Sequence, residues 1–144
     1  YLIKPNVREA EMLVGKKLST EEAIIEAALD LVKADIEIAV ISRGKDGIIA
    51  ATKGSLFKAV PPSVRIRSAV GAGDCAIAGL ALKLAHGEPL MEACRLAVAM
   101  GTAAMLTPGT ALCHKADVER LLPQVKVWVM PSRKRDKTPF PAID

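Results

Sequence analysis

Three short apolar runs stand close together in this chain: IEIAVI at residues 36–41, IIAA at 48–51 and SLFKAV at 55–60. Each is rich in β-branched or small apolar residues, is too short for a helix of its own, and is bounded by turn formers. They read as strands. The last two flank Lys53-Gly54, the signature of a hairpin, and residues 42–47 (SRGKDG) read as the turn before it. The segments on either side are helix formers. Strands interleaved with such helices imply an α/β sandwich.

The helical segments carry their own start and stop signals. Tyr1-Leu2-Ile3 reads as the last residues of a strand that began earlier, and Lys4-Pro5-Asn6 as a turn into a short helix with Asn6 as N-cap. Ser19 and Glu22 have the spacing of a capping box. The helix they open reaches about Ala34, with Ala23, Ile24, Ala27, Ala28, Leu31 and Val32 on one apolar stripe. Pro61-Pro62 breaks regular structure, and residues 64–67 are expected as one more short strand. A helix is expected from Gly73 to His86, with Gly87 just past its end. A second, Ala-rich helix runs from Leu90 to Leu106 and is stopped by Thr107-Pro108-Gly109-Thr110. A last helix runs from His114 or Lys115 to Leu122. Beyond Pro123 the pattern decays, so residues 1–125 are expected to form the domain and 126–144 a disordered or loosely attached tail.

Composition narrows the function classes. With 144 residues the chain suits one compact domain, and 51% hydrophobic with 25% charged residues is a globular balance. Only 3% of residues are aromatic and the net charge is a mild +4, which argues against a stacking platform or a nucleic-acid groove. Apolar runs near membrane length are interrupted by Lys, Arg, Glu or Pro, so no membrane partner is expected. Cys75, Cys94 and Cys113 are odd in number and far apart, and neither they nor His86 and His114 have metal-ligand spacing. Reduced, mostly buried thiols in a cytoplasmic protein are the expectation.

The chemistry concentrates in residues 68–80, SAVGAGDCAIAGL. A Walker A loop fails, because no GK[ST] follows. Gly71-Ala72-Gly73-Asp74-Cys75-Ala76 satisfies the dinucleotide pattern G-x-G-x-x-A, but Asp74 would set a carboxylate beside a pyrophosphate. A third reading uses that acid. The start of a helix exposes backbone N–H groups and the positive end of the dipole, which can hold the oxygens of a transferring phosphoryl group. An acid beside it can accept the proton of the attacking hydroxyl. The plain alternative is a capped helix behind a tight turn, and the motif alone weighs the two about equally.

In order along the chain, KPNVRE, SRGKDG, VPPSVRIRSAVGAGDCAIAGL and AAMLTPGT together resemble the ribokinase-like (PfkB) carbohydrate kinases. VPPSV before GAGD and Gly109-Thr110-Ala111-Leu112-Cys113 after it look most like the phosphofructokinase branch. The 6-phosphofructokinase type is the nearest, with 1-phosphofructokinases and tagatose-6-phosphate kinases as neighbours. The resemblance runs from about Lys4 to Leu122 and implies the C-terminal, nucleotide-binding half of a three-layer α/β/α sandwich. It implies ATP-dependent transfer to a hydroxyl of a phosphorylated ketohexose. Asp74 would be the base, and Gly71, Ala72 and Gly73 would form the anion hole.

The same resemblance assigns Lys4, Asn6, Ser42, Gly44, Gly47, Thr107 and Gly109 to the nucleotide, with residues 107–110 and the helix before them on the adenine side. Asn6 and Glu9 would serve Mg²⁺, largely through water. Carbonyls of Ser68, Val70, Ala104, Thr107 and Gly109 would hold K⁺. Arg43 stands where such kinases carry an apolar residue, and would point to solvent or reach a phosphate. Cys75 stands where Ser or Ala is usual, and Ala69 where Thr is. Relatives of this kind are often dimers through a lid that this chain lacks, and their missing half carries most sugar contacts. Isolated activity is therefore in doubt, and the competing reading is a non-catalytic nucleotide-binding fragment or regulatory remnant.

Overall fold

The computed structural model describes residues 1–131. Ten regular elements follow the chain: β1 (Leu2–Ile3), α1 (Val7–Val14), α2 (Glu21–Lys33), β2 (Ile38–Ser42), β3 (Ile48–Ala51), β4 (Leu56–Val60), α3 (Ala72–Ala85), α4 (Leu90–Met105), α5 (Lys115–Leu121) and β5 (Lys126–Met130). The strands form one sheet in the order β1-β2-β3-β4-β5. β1 and β2 are parallel, and the other neighbours are antiparallel.

The period-two alternation of the strands divides the core between two faces. Ile38, Val40, Ile48, Ala50 and Ala59 point to one side, where they pack with Leu80, Cys94, Ala97 and Leu121 of α3, α4 and α5. Ala39, Ile41, Ile49, Ala51 and Leu56 point to the other, against Ala10 of α1 and Ile24, Ala27, Ala28 and Leu31 of α2. Every residue of β3 is buried, as a strand covered on both faces requires. The hairpin around Lys53-Gly54 forms as expected, with Ala51 opposite Leu56. No helix among the described residues is long and apolar enough to cross a membrane.

Three local expectations are corrected. The second helix is capped by Thr20, whose hydroxyl accepts from the Ala23 N–H at 3.1 Å, and not by Ser19. The frame is set just before it, where the Leu18 N–H is bound to Glu11 Oε1 at 2.9 Å. β2 begins at Ile38, because Asp35 turns the chain with a left-handed φ of 65° and uses up the residues after the helix. No strand forms at 64–67: the Arg67 and Ser68 N–H groups both donate to the Met105 carbonyl, at 2.8 and 3.3 Å, and so have no sheet neighbour.

The largest correction concerns the expected tail. Residues 126–130 are a strand paired along its length with β4, from Val60 opposite Lys126 to Leu56 opposite Met130. Val127 packs on the α3–α4 side and Met130 on the α2 side, while the Val125 carbonyl accepts from Arg95 Nη1 at 2.7 Å. The rest of that tail, from 132 onward, lies outside the described residues.

α3 and α4 lie close because glycine stands at their crossing. A Cβ on Gly79 would come within 2.9 Å of the Ala97 Cα, and one on Gly101 within 3.1 Å of the Ala72 carbonyl oxygen. Replacing Gly79 by Ala gains about 1 kcal/mol of helix propensity against roughly 1–3 kcal/mol of overpacking. A net loss of stability, on the order of 1 kcal/mol, is therefore expected in urea denaturation. Gly54→Ala, with open space around it, serves as the neutral comparison.

Candidate functional site

The parallel strands β1 and β2 end side by side, joined just beyond by the Asn6–Ser42 bridge and by the Ser42 N–H donating to the Pro5 carbonyl at 3.0 Å. A cavity of about 560 Å³ opens at this end of the sheet. The ends of parallel strands are where α/β folds place their ligands, since the helices that follow aim their N-termini there. From the β1 side, Lys4, Asn6 and Glu9 line it; from the β2 side, Ser42, Gly44, Gly47 and Ile48. Ala69, Ala72, Gly73 and Asp74 come from the start of α3.

α3 starts on Gly71, whose left-handed φ of 81° swings the chain into the helix. No side chain caps this end. The Ala72 N–H leans back on the Ala69 carbonyl at 3.4 Å, and the Cys75 N–H makes the first bond to Gly71 O at 2.9 Å. The N–H groups of Gly73 and Asp74 have no acceptor among the described residues. Lys4 faces them: its Nζ lies 3.5 Å from where a Gly73 Cβ would stand, and 3.5 Å from Ser42 Oγ. Two free donors, a helix dipole and an ammonium thus converge, with the exposed Asp74 carboxylate on the rim.

Asn6 and Glu9 form a complete capping box: Asn6 Oδ1 accepts from the Glu9 N–H at 2.9 Å, and Glu9 Oε2 from the Asn6 N–H at 2.8 Å. Both still line the cavity, and Glu9 Oε1 has no partner among the described residues. No group of three or more potential metal-ligating His, Cys, Asp or Glu side chains occurs among the described residues.

Several expected site residues stand elsewhere. Gly71 shapes the turn from behind, facing Leu112, and does not line the cavity. Thr107 and Gly109 are also outside it. The Thr107 side chain is buried, with Oγ1 at 2.7 Å from both the Ala104 and the Ala111 carbonyl oxygens, so it fastens the end of α4 to the loop beyond. Ser68 Oγ donates to the Gly109 carbonyl at 2.9 Å and accepts from the Val70 N–H at 3.2 Å. The segments holding Ser68, Val70, Ala104, Thr107 and Gly109 are therefore brought together beside the cavity, not within it. Arg43 reaches neither solvent nor a phosphate site: its guanidinium is buried against Glu21. The dinucleotide reading loses its context, because residues 61–71 form no strand leading into α3.

The far wall includes α4, the helix expected on the adenine side, although its individual lining residues carry little signal. Ala76 and Ile77 of α3 face Ala97, Val98, Thr102 and Met105 of α4 there. Apolar residues at helical spacing look like ordinary core, and the one signal was Thr102, a hydroxyl within the otherwise apolar run AVAMGTAAM. The three thiols are unbridged. Burial raises Cys94 to about 12; burial, with a hydrogen bond to Cys75, raises Cys113 to about 11. Neither Cys94 nor Cys113 is primed as a nucleophile.

Residues 1–117 match the family of pfkB carbohydrate kinases. The chain belongs to that family. It is 38% identical over 121 residues to an ATP-dependent 6-phosphofructokinase isozyme 2 of Mycobacterium tuberculosis, covering 83% of this chain and 36% of that protein. It is 35% identical over 128 residues to a 1-phosphofructokinase of Borreliella burgdorferi, covering 88% of this chain and 41% of that one. The phosphofructokinase-2 of Escherichia coli, solved in complex with potassium, superposes with a TM-score of 0.82 at 35% identity, over 85% of this chain and 40% of that chain. The ribokinase-like α/β/α arrangement expected from the sequence is thus the observed one. This pfkB chain spans well under half the length of the relatives it matches.

Because Thr107 serves the loop, Thr107→Val is expected to lower stability by about 1 kcal/mol, the net worth of a lost internal hydrogen bond. Thermal denaturation checks this. An unchanged melting temperature would contradict the structural role.

Proposed function

We propose that this chain supplies the nucleotide half of an ATP-dependent kinase that phosphorylates a hydroxyl of a phosphorylated ketohexose. The observation that carries this reading is the convergence of the free Gly73 and Asp74 N–H groups with the Lys4 ammonium in one cavity. Relatives named 6-phosphofructokinase and 1-phosphofructokinase support the class of acceptor.

The roles follow from the chemistry. The oxygens of the γ-phosphoryl group sit against the α3 amides and Lys4, which stabilise the charge that builds up during transfer. Asp74 accepts the proton of the sugar hydroxyl as its oxygen bonds to phosphorus and the bond to ADP breaks. Ser42, Gly44 and Gly47 flank the phosphates from the β2 side. The α3–α4 wall, with its single hydroxyl at Thr102, offers an apolar face to the base.

Glu9, through its free Oε1, and Asn6 fit a hydrated Mg²⁺, an ion that keeps several waters and takes one or two carboxylates. When bound, Mg²⁺ neutralises phosphate charge. The Ser68–Gly109 contact brings backbone carbonyls of two loops together beside α3. That supports K⁺ at Ser68, Val70, Ala104, Thr107 and Gly109, as does the potassium complex of the Escherichia coli relative. A cytoplasmic setting accords with three unbridged thiols.

Calorimetry of the chain with MgATP is expected to give a saturable heat and a thermal upshift, retained in Asp74→Asn. In a kinase that joins this chain to an acceptor-binding half, Asp74→Asn should lower kcat about 10²–10⁴-fold. No heat and no thermal shift would overturn nucleotide binding. Near-normal kcat would overturn the base.

A further inference from the structure

The turn at residues 42–47 forms one part of the cavity wall. Gly44 and Gly47 are both left-handed, at φ 58° and 79°, around one turn of 3-10 helix. Three backbone bonds hold it: Arg43 N–H to Gly47 O at 2.8 Å, Asp46 N–H to Arg43 O at 3.2 Å, and Gly47 N–H to Gly44 O at 3.0 Å. Yet this turn carries Ser42, Gly44 and Gly47 to the cavity, opposite α3.

Behind it lies an ionic cluster. The Arg43 side chain, only 8% exposed, donates through Nη2 to the Asp46 carbonyl and through Nη1 to Glu21 Oε2, both at 2.7 Å. Glu21, in the first turn of α2, also accepts from Lys58 Nζ of β4 on both oxygens, at 2.9 and 2.8 Å. Lys58 in turn lies 6.0 Å from the ring centre of Trp128 in β5. The Lys58 hydrogen bond, aided by the one from Arg43, holds the Glu21 carboxyl below its ordinary range, so both cations face an anion at neutral pH.

Arg43 Nε is buried without a partner among the described residues. The fork is thus oriented for Glu21 and Asp46 at the expense of its third donor.

We propose that Glu21, Arg43 and Lys58 form a clamp that holds the 42–47 turn in its nucleotide-binding shape, with Arg43 as a positioning residue. Arg43 does not line the cavity; it acts by tying the turn's Asp46 carbonyl to α2 and β4. A planar guanidinium spans both acceptors, whereas a lysine ammonium would serve one or the other. The proposal rests on the nucleotide reading above, and its two readouts fail separately.

The test compares the chain with Arg43→Met, Arg43→Lys and the milder Glu21→Gln, using MgADP calorimetry, amide hydrogen exchange and melting temperature. Arg43→Met should weaken MgADP about tenfold, equivalent to ~1.4 kcal/mol. It should also speed exchange at the Asp46 and Gly47 amides and leave Leu80 and Ala97 protected. Arg43→Lys should recover only part of both, and Glu21→Gln should fall between. Lys33→Ala, an exposed ion-pair control, should change neither. If Arg43→Met does not fold, Glu21→Gln alone decides between the outcomes. Unchanged exchange at Asp46 and Gly47 overturns the clamp. Faster exchange with affinity within about twofold overturns its role in binding. If the parent chain binds no MgADP, the nucleotide role falls with the reading it rests on, while exchange still decides whether the clamp holds the turn.

Discussion

The close crossing of α3 and α4 is the contact on which the site depends. Gly79 beneath Ala97 and Gly101 beneath the Ala72 carbonyl let the two backbones approach as no pair of larger residues could. That approach fixes where α3 begins, and α3 begins at the ends of β1 and β2. The Gly73 and Asp74 amides, which have no acceptor among the described residues, thus share one cavity with Lys4. Preorganised donors of this kind need no rearrangement as charge develops in front of them.

Charge is divided between the two sides of the sheet end. Inside the cavity, Lys4 and the α3 dipole favour an anion, and the Asp74 carboxylate stands exposed on the rim. Outside it, Glu21 gathers Arg43 and Lys58 and so keeps two cations out of the cavity. Arg43, which departs from the apolar residue that the family resemblance leads one to expect, thus becomes part of the scaffold. Asn6 and Glu9 serve both purposes: they cap α1 and still present a carboxylate oxygen to the cavity.

Much of this was legible in the sequence, because it rests on local rules. The hairpin, the α1 cap at Asn6 and the two long Ala-rich helices follow from turn residues, capping spacing and periodicity. Lys4, Asn6, Glu9, Ser42, Gly44, Gly47, Ala72, Gly73 and Asp74, which the family resemblance and not any local rule singles out together, meet in one cavity. What escaped depends on distant partners. β5 is a strand because β4 offers it an edge, and VKVWVM precedes a run of prolines and charges that hides it. Residues 64–67 have strand composition, but the Arg67 amide, with that of Ser68, goes to the end of α4. Thr107 carries a hydroxyl at a loop where ligand and scaffold roles look alike; only its two carbonyl partners decide for scaffold.

The most direct measurement is a ¹H–¹⁵N correlation spectrum of the isotope-labelled chain titrated with MgATP. Saturable downfield shifts at the Gly73 and Asp74 amides, accompanied by changes at Ser42, Gly44 and Gly47, are the expected result, because those donors gain phosphate oxygens as acceptors. Saturation with the Gly73 and Asp74 amides unmoved would contradict the placement of the phosphates at the start of α3.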